Sequence, residues 1–186
     1  MDNGASSYHR FLDGDDNGIS EIVREYRDGL MLYLQTFVND LYTAEDLTED
    51  TFFRLIIRKP KFSEKSSFKS WLYSIGRHIA IDYVRKNART ETSSVEDMTE
   101  VLRDEIDLER SYIQEEQRIS IHRALETLPS DYRQVIWLIY FEGFSHEETG
   151  KIMKKNSRQI RNLLYRAKQS LKEELSKRGL DDEEYR

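Results

Sequence analysis

Between residues 157 and 168 the chain carries Ser157, Arg158, Arg161, Asn162, Tyr165, Arg166 and Lys168. Arg158, Arg161 and Tyr165 follow one another at spacings of three and four, so on a helix they share one face. A guanidinium bonds guanine through two parallel hydrogen bonds, and an Asn amide does the same with adenine. Arg166 and Lys168, further along, suit phosphate oxygens, which every DNA sequence offers. A second stretch mixes cations with rings. The polar run Lys61, Ser63, Lys65, Ser66 and Ser67 leads into Lys69, Trp71, Tyr73, Arg77, His78, Tyr83, Arg85, Lys86 and Arg89. Cations that follow a backbone and rings that stack on unpaired bases suit single-stranded DNA. Trp71 and Tyr83 also fall on the apolar stripe of that segment, so core packing competes with stacking for both.

Other chemistry is hard to build from these residues. The 186 residues include no cysteine, which excludes disulfides, thiolate metal sites and cysteine nucleophiles. Glu45, Asp46, Glu49 and Asp50 form an acidic run without a histidine, better suited to a protein-binding or solvated face than to a metal. His146-Glu147 lacks the second histidine of a zinc-protease helix. No glycine-rich phosphate loop and no Ser-His-Asp set is present, so neither an enzyme nor a cofactor or metal site is expected. No apolar run approaches the roughly 20 residues of a membrane helix. The polar start from Met1 to Asn17 does not read as a signal peptide. A cytoplasmic protein is expected.

The elements that must position these residues read as all-α. Only two prolines and eight glycines occur, and mean hydropathy is −0.76. Apolar residues from Ile19 to Leu41 recur at helical spacing, with Asn17 as the expected cap. Thr43-Ala-Glu-Asp46 reads as a capping box for a second helix that carries Leu47, Phe52, Phe53, Ile56 and Ile57 and stops near Pro60. A third helix runs from about Phe68 to Lys86. Residues 17–90 thus form one small domain, preceded by a disordered acidic tail over 1–16. Residues 91–114 read as an acidic linker and 115–178 as a second helical domain, followed by an acidic tail over 179–186. In that second domain, Ser145-His-Glu-Glu148 opens a short helix and Asn156 or Ser157 caps a long one, in helix-turn-helix proportions.

Charge is divided in the same way. The net charge of −6 hides 3 basic against 12 acidic residues over 1–50, and 7 against 2 over 61–90. It also hides 3 against 10 over 91–118 and 10 against 2 over 151–178. Two basic faces on two bodies, separated by acidic chain, are expected.

The stretches AEDLTEDTFFRL (44–55), SFKSWLYSIGRHIAIDYVRKNAR (67–89), LPSDYRQVIWLIYFEGFSHEETGKIM (128–153) and IRNLLYRAKQSLKEEL (160–175) together resemble bacterial extracytoplasmic-function sigma factors. The resemblance covers nearly the whole chain beyond residue 17. It implies binding to core RNA polymerase, promoter DNA as the second partner, transcription initiation as the function, and an anti-sigma factor as an inhibitory partner. The helix 46–58 is similar to the family's polymerase-clamp-binding element at Asp46, Leu47, Glu49, Asp50 and Phe52, with Phe53 beside it. Glu49 stands where the family usually has Gln, and Asp50 where it has Glu.

The resemblance also assigns the loop and the helix after it to the −10 element. A flipped base would be read among Lys61, Ser63, Lys65, Ser66 and Ser67, with Lys69 and Trp71 following. Arg77, His78, Arg85 and Lys86 would hold backbone phosphates. It assigns the helix-turn-helix to the −35 element, with Lys154 near the turn position usually held by Gly and Leu163 where a basic residue is common. The competing readings are a dimeric helix-turn-helix repressor or activator and an RNA-binding helical adaptor. The first gives no reason for the first domain's own basic aromatic face, and the second predicts no partnership with polymerase.

Overall fold

The computed structural model describes residues 3–90, 121 and 123–178. The expected linker 91–114, His122 and the tail 179–186 lie outside the described residues. Everything described is helix or its connections, with no strand among the described residues.

Much of the stretch expected as a tail, residues 3–12, is helical. Asn3–Leu12 forms helix α1, which buries Gly4, Ser7, Tyr8 and Phe11. Asp15 then accepts from Asn17 N–H at 3.0 Å and from the Arg10 guanidinium at 3.2 Å, so the acidic residues make the turn into the next helix. Helix α2, Asn17–Val38, starts after Asp16 without a side-chain cap, and Asn17 lies inside it. Its buried positions, among them Ile22, Tyr26, Leu30, Tyr33 and Leu34, keep the helical period.

Helix α3 is Leu41–Arg58. Its cap is Asp40, whose carboxylate accepts from Thr43 N–H at 2.7 Å. Asp40 therefore replaces the expected Thr43 box: an acceptor three residues earlier captures the same free amide. The Thr43 hydroxyl, and after it the Thr43 amide, hold the Asp40 carboxyl below its ordinary range. The helix ends at Lys59 in a left-handed conformation before Pro60. Helix α4, Phe68–Thr90, closes the first bundle. Ser67 opens it by accepting from Ser70 N–H at 3.3 Å.

The second body begins with a helical turn at 123–126 and continues into α5, Ser130–Ile136, which runs on as a π-helical turn over Trp137–Phe141. Helix α6, His146–Met153, and helix α7, Ser157–Lys177, complete it. The expected capping box at Ser145 is present, and of the two candidate caps for the long helix it is Asn156 that serves, in a capping box of its own. Ser145 and Glu148 exchange hydrogen bonds at the start of α6, and Asn156 and Gln159 do so at the start of α7. Between the two helices Lys154 takes the left-handed position at φ 55°. Gly150 has no room for a side chain, since a Cβ there would lie 2.5 Å from the Lys155 carbonyl oxygen.

The two bodies pack on each other. Tyr33 of α2 stacks on Tyr73 of α4 at 5.3 Å, and Tyr73 meets Phe144, just before α6, edge-on at 5.2 Å. Arg133 joins the backbones. Its Nε donates to the Thr36 carbonyl at 2.9 Å, and its Nη1 donates to the carbonyls of Glu126 and Leu128 at 2.8 and 3.0 Å. One cation thus satisfies the free C-terminal carbonyls of two helical segments, where the helix dipole favours it. Burial there draws its pKa below the usual guanidinium value.

Candidate nucleic-acid interface

Helix α7 presents two chemically distinct sides. Ile160, Leu164 and Ala167 are buried against α5 and α6. Arg158, Arg161, Asn162, Tyr165, Arg166 and Lys168 are exposed, Tyr165 at 67%. Ser157 is half-buried at the helix start. Rotation by about 100° per residue explains the division: the buried residues fall at spacings of three and four, and the polar set fills the remaining arc. Lys168 leans over the exposed Tyr140 ring at 5.8 Å. The Asn156–Gln159 capping box fixes the start of the helix, whose first two turns carry Arg158 and Arg161. This is the geometry needed to bring guanidinium and amide groups to base edges in a major groove.

The face at the start of α4 is arranged differently. Lys61, Ser63 and Lys65 are exposed and Ser66 is half-buried. Lys69, however, pairs with Glu142 at 2.8 Å and also donates to the Glu142 carbonyl at 3.0 Å. It lies 4.9 Å from the Phe144 ring centre. Tyr73, buried rather than displayed, donates its hydroxyl to Glu142 Oε2 at 2.7 Å. Burial, with the Glu142 charge beside it, pushes this phenol far above its ordinary pKa. Gly29 of α2 makes the space, since a Cβ there would lie 2.7 Å from the Tyr73 oxygen. The Ser67 and Ser70 hydroxyls lie 3.1 and 3.4 Å from Glu148 Oε1. Arg77 donates from Nε to Gln134 at 3.3 Å. Arg85 and Lys86, toward the other end of α4, are exposed, and His78 is half-buried.

Two aromatic expectations divide. Trp71 sits within 5.5 Å of the ring centres of Tyr8, Phe62 and Phe68, so it belongs to a packed cluster and not to a stacking platform. Tyr83 leaves the core and is 36% exposed.

Helix α3 likewise splits the expected polymerase-contact set. Asp46, Glu49, Asp50 and Phe53 are exposed, whereas Leu47 and Phe52 are core residues and cannot meet a partner without unfolding. Three residues outside that set join the exposed ones: Tyr42 at 72%, Ile57 at 63% and Ile56. These exposed apolar groups share the outer side of α3 with the carboxylates of Asp46, Glu49 and Asp50. Their signal in the sequence was the surplus of large apolar residues over what one stripe of an 18-residue helix can bury.

Among the described residues no group of His, Asp and Glu side chains could hold a metal ion, and no helix is long and apolar enough to cross a membrane.

Comparison with known proteins bears on both bodies. Residues 22–90 match the family model for Sigma-70 region 2, and residues 118–171 match that for Sigma-70 region 4. The ECF RNA polymerase sigma factor SigX of Bacillus subtilis is 30% identical over 173 residues, covering 87% of this chain and 86% of SigX. The ECF sigma factor SigM of the same organism is 28% identical over 165 residues, covering 89% of this chain and 99% of SigM. Among solved structures, the sigma factor RpoE of Bartonella quintana, in complex with the anti-sigma factor NepR, aligns with a TM-score of 0.69 at 24% identity. That alignment covers 84% of this chain and 96% of RpoE and speaks to the fold. With the two sigma regions in order and each carrying its own basic face, the chain belongs to the extracytoplasmic-function (ECF) RNA polymerase sigma factors, which direct transcription initiation at specific promoters.

Proposed function

We propose that the exposed side of α7 reads the −35 element and that the loop 61–67 with the start of α4 reads and opens the −10 element. The exposed acidic and apolar side of α3 then docks on core polymerase. The observation that carries the reading is the outer face of α7. Arg158, Arg161, Asn162 and Tyr165 share one exposed arc over the first three turns of α7, whose start is fixed by the Asn156–Gln159 capping box. Such groups supply base contacts, while Arg166 and Lys168 supply sequence-independent affinity. The protein acts by binding and not by catalysis, in the cytoplasm where polymerase works. An anti-sigma factor is the expected inhibitor, as in the RpoE–NepR complex.

The test is reconstitution. Purified chain is added to core polymerase and transcription starts are mapped across bacterial genomic DNA. The starts should share two upstream elements at constant spacing, and starts with no common element would defeat the reading. Glu49→Lys combined with Phe53→Ala, both exposed and so compatible with folding, should abolish co-elution with core polymerase in gel filtration.

A further inference from the structure

Helix α1 lies against the loop between α3 and α4 and holds it at three points. At the start of the loop, Tyr8 is fully buried and donates its hydroxyl to the Pro60 carbonyl at 2.7 Å. Burial pushes that phenol's pKa up to about 12, so it remains a donor throughout the working range of pH. Beside it, Lys59 Nζ stands 4.8 Å over the Phe11 ring. In the middle of the loop, Phe62 packs on Phe68 and Trp71 at 5.6 and 5.1 Å, and Tyr8 packs on the same two rings at 5.6 and 5.3 Å. At the tip, His9 Nε2 lies 2.9 Å from Glu64 Oε1.

Glu64 has φ of 56°, a left-handed conformation that disfavours every residue with a Cβ. Something must compensate, and the bond from His9 is the contact at hand. The pair is about half exposed or more on both sides, so its hold is modest. The buried Tyr8 anchor is the stronger of the two. Lys61 and Ser63, between these anchors, and Lys65, just past the second, are exposed. They therefore project from a backbone whose path is set by a helix outside the stretch matched by the region 2 model, which begins at residue 22.

We infer that α1 sets base selectivity at the −10 element, with Tyr8 and His9 as positioning residues that shape the loop without touching DNA. A loop held in one conformation discriminates, because a wrong base cannot recruit an alternative arrangement of the same side chains. The inference rests on the reading that loop 61–67 receives a −10 base.

The experiment uses full-length chain with core polymerase and two promoter libraries, one randomised at −10 and one at −35. Tyr8→Phe and His9→Ala should each weaken base preference at one or two −10 positions, by roughly two- to fivefold, and leave −35 preference unchanged. Glu64→Gly should retain the native preference, since Gly adopts φ near 56° without support. In that background His9→Ala should have no further effect. A purely structural role for α1 would lower transcription from every library member equally, and that result overturns the inference. Lys61→Ala and Ser63→Ala separate the two levels. If they leave −10 preference intact, the loop is not the reader and the inference falls with the reading. If they change it while Tyr8→Phe and His9→Ala do not, the reading stands and the role of α1 is refuted.

Discussion

The two basic regions of this sigma factor carry polar and cationic side chains in opposite states. On α7, Arg158, Arg161, Asn162 and Tyr165 are displayed and the helix buries only its apolar side. On α4, Ser67, Lys69, Ser70 and Arg77 are engaged by the other half of the chain, through Glu148, Glu142 and Gln134. Composition does not separate the cases; tertiary contact does. Under the proposed function, the carboxylates of Glu142 and Glu148 occupy donors of the α4 face that DNA acceptors would otherwise take. Distance adds to the contrast. Elements centred near −35 and −10 lie about 25 base pairs apart, roughly 85 Å of duplex. A folded chain of this length has a radius of gyration of about 16 Å. Under the proposed function, the described arrangement can offer α7 to a promoter, but both faces cannot engage until the halves part.

Breaking that contact should give the largest effect. Glu142→Ala removes the acceptor shared by Lys69 and Tyr73, in a crevice where the Glu142 side chain is only 10% exposed. Lys69 keeps partial access to water, which reduces the penalty below that of a fully buried pair. A loss of about 2–3 kcal/mol from the contact between the halves is expected. Small-angle scattering should show a larger radius for the variant, and a single-stranded −10 oligonucleotide should bind it more tightly. An unchanged radius and affinity would mean that the contact does not restrain the α4 face.

A smaller effect should sharpen the other side of the comparison. Arg161→Ala is expected to cost about 1–3 kcal/mol at the −35 element and to relax preference at one or two base pairs. Lys168→Ala should weaken all sequences about equally and lower the salt slope by roughly one unit. Transcription from randomised −35 elements, with a salt titration of binding, distinguishes them. If Arg161→Ala leaves preference unchanged, another face of α7 enters the groove.

The features that sequence reasoning located are those written locally. Both capping boxes of the helix-turn-helix close over three residues, and the period of Ile160, Leu164 and Ala167 states which side of α7 is buried. Contact between the halves was invisible because its partners lie 73 residues apart for Lys69 and Glu142, and 97 apart for Arg133 and Thr36. Helix α1 reads as a tail because Asp13, Asp15 and Asp16 dominate the local charge, while its packing depends on Tyr8 meeting Pro60, Phe68 and Trp71. Helix α3 was legible as a helix but not in its facing. Threonines 48 and 51 are buried, each donating its hydroxyl to the carbonyl four residues earlier, and this leaves Phe53 and Ile57 outside. Polar residues that satisfy themselves on their own helix can enter a core, and hydropathy alone does not foresee it.

The smallest effect expected is that of acid on Glu148, and it probes the closed contact without disturbing Glu142. Burial pushes this carboxyl upward. The hydrogen bonds from the Ser145 amide and hydroxyl, and from Ser67 and Ser70, outweigh it and leave the pKa below the ordinary value of 4.5. A carboxyl lowered on folding contributes stability that is fully present above its unfolded pKa and is lost as pH falls through its folded one. The native chain should therefore be more stable than Glu148→Gln at pH 7, with the gap closing as pH drops from about 4.5 downward. Asp40 titrates in the same direction at the start of α3, but it is common to both proteins and cancels in the difference. Urea midpoints of the two proteins at pH 7, 5 and 4 measure it. A gap that stays constant through this window would mean that the carboxylate charge at Glu148 is immaterial, both to the α6 cap and to the serines that begin α4.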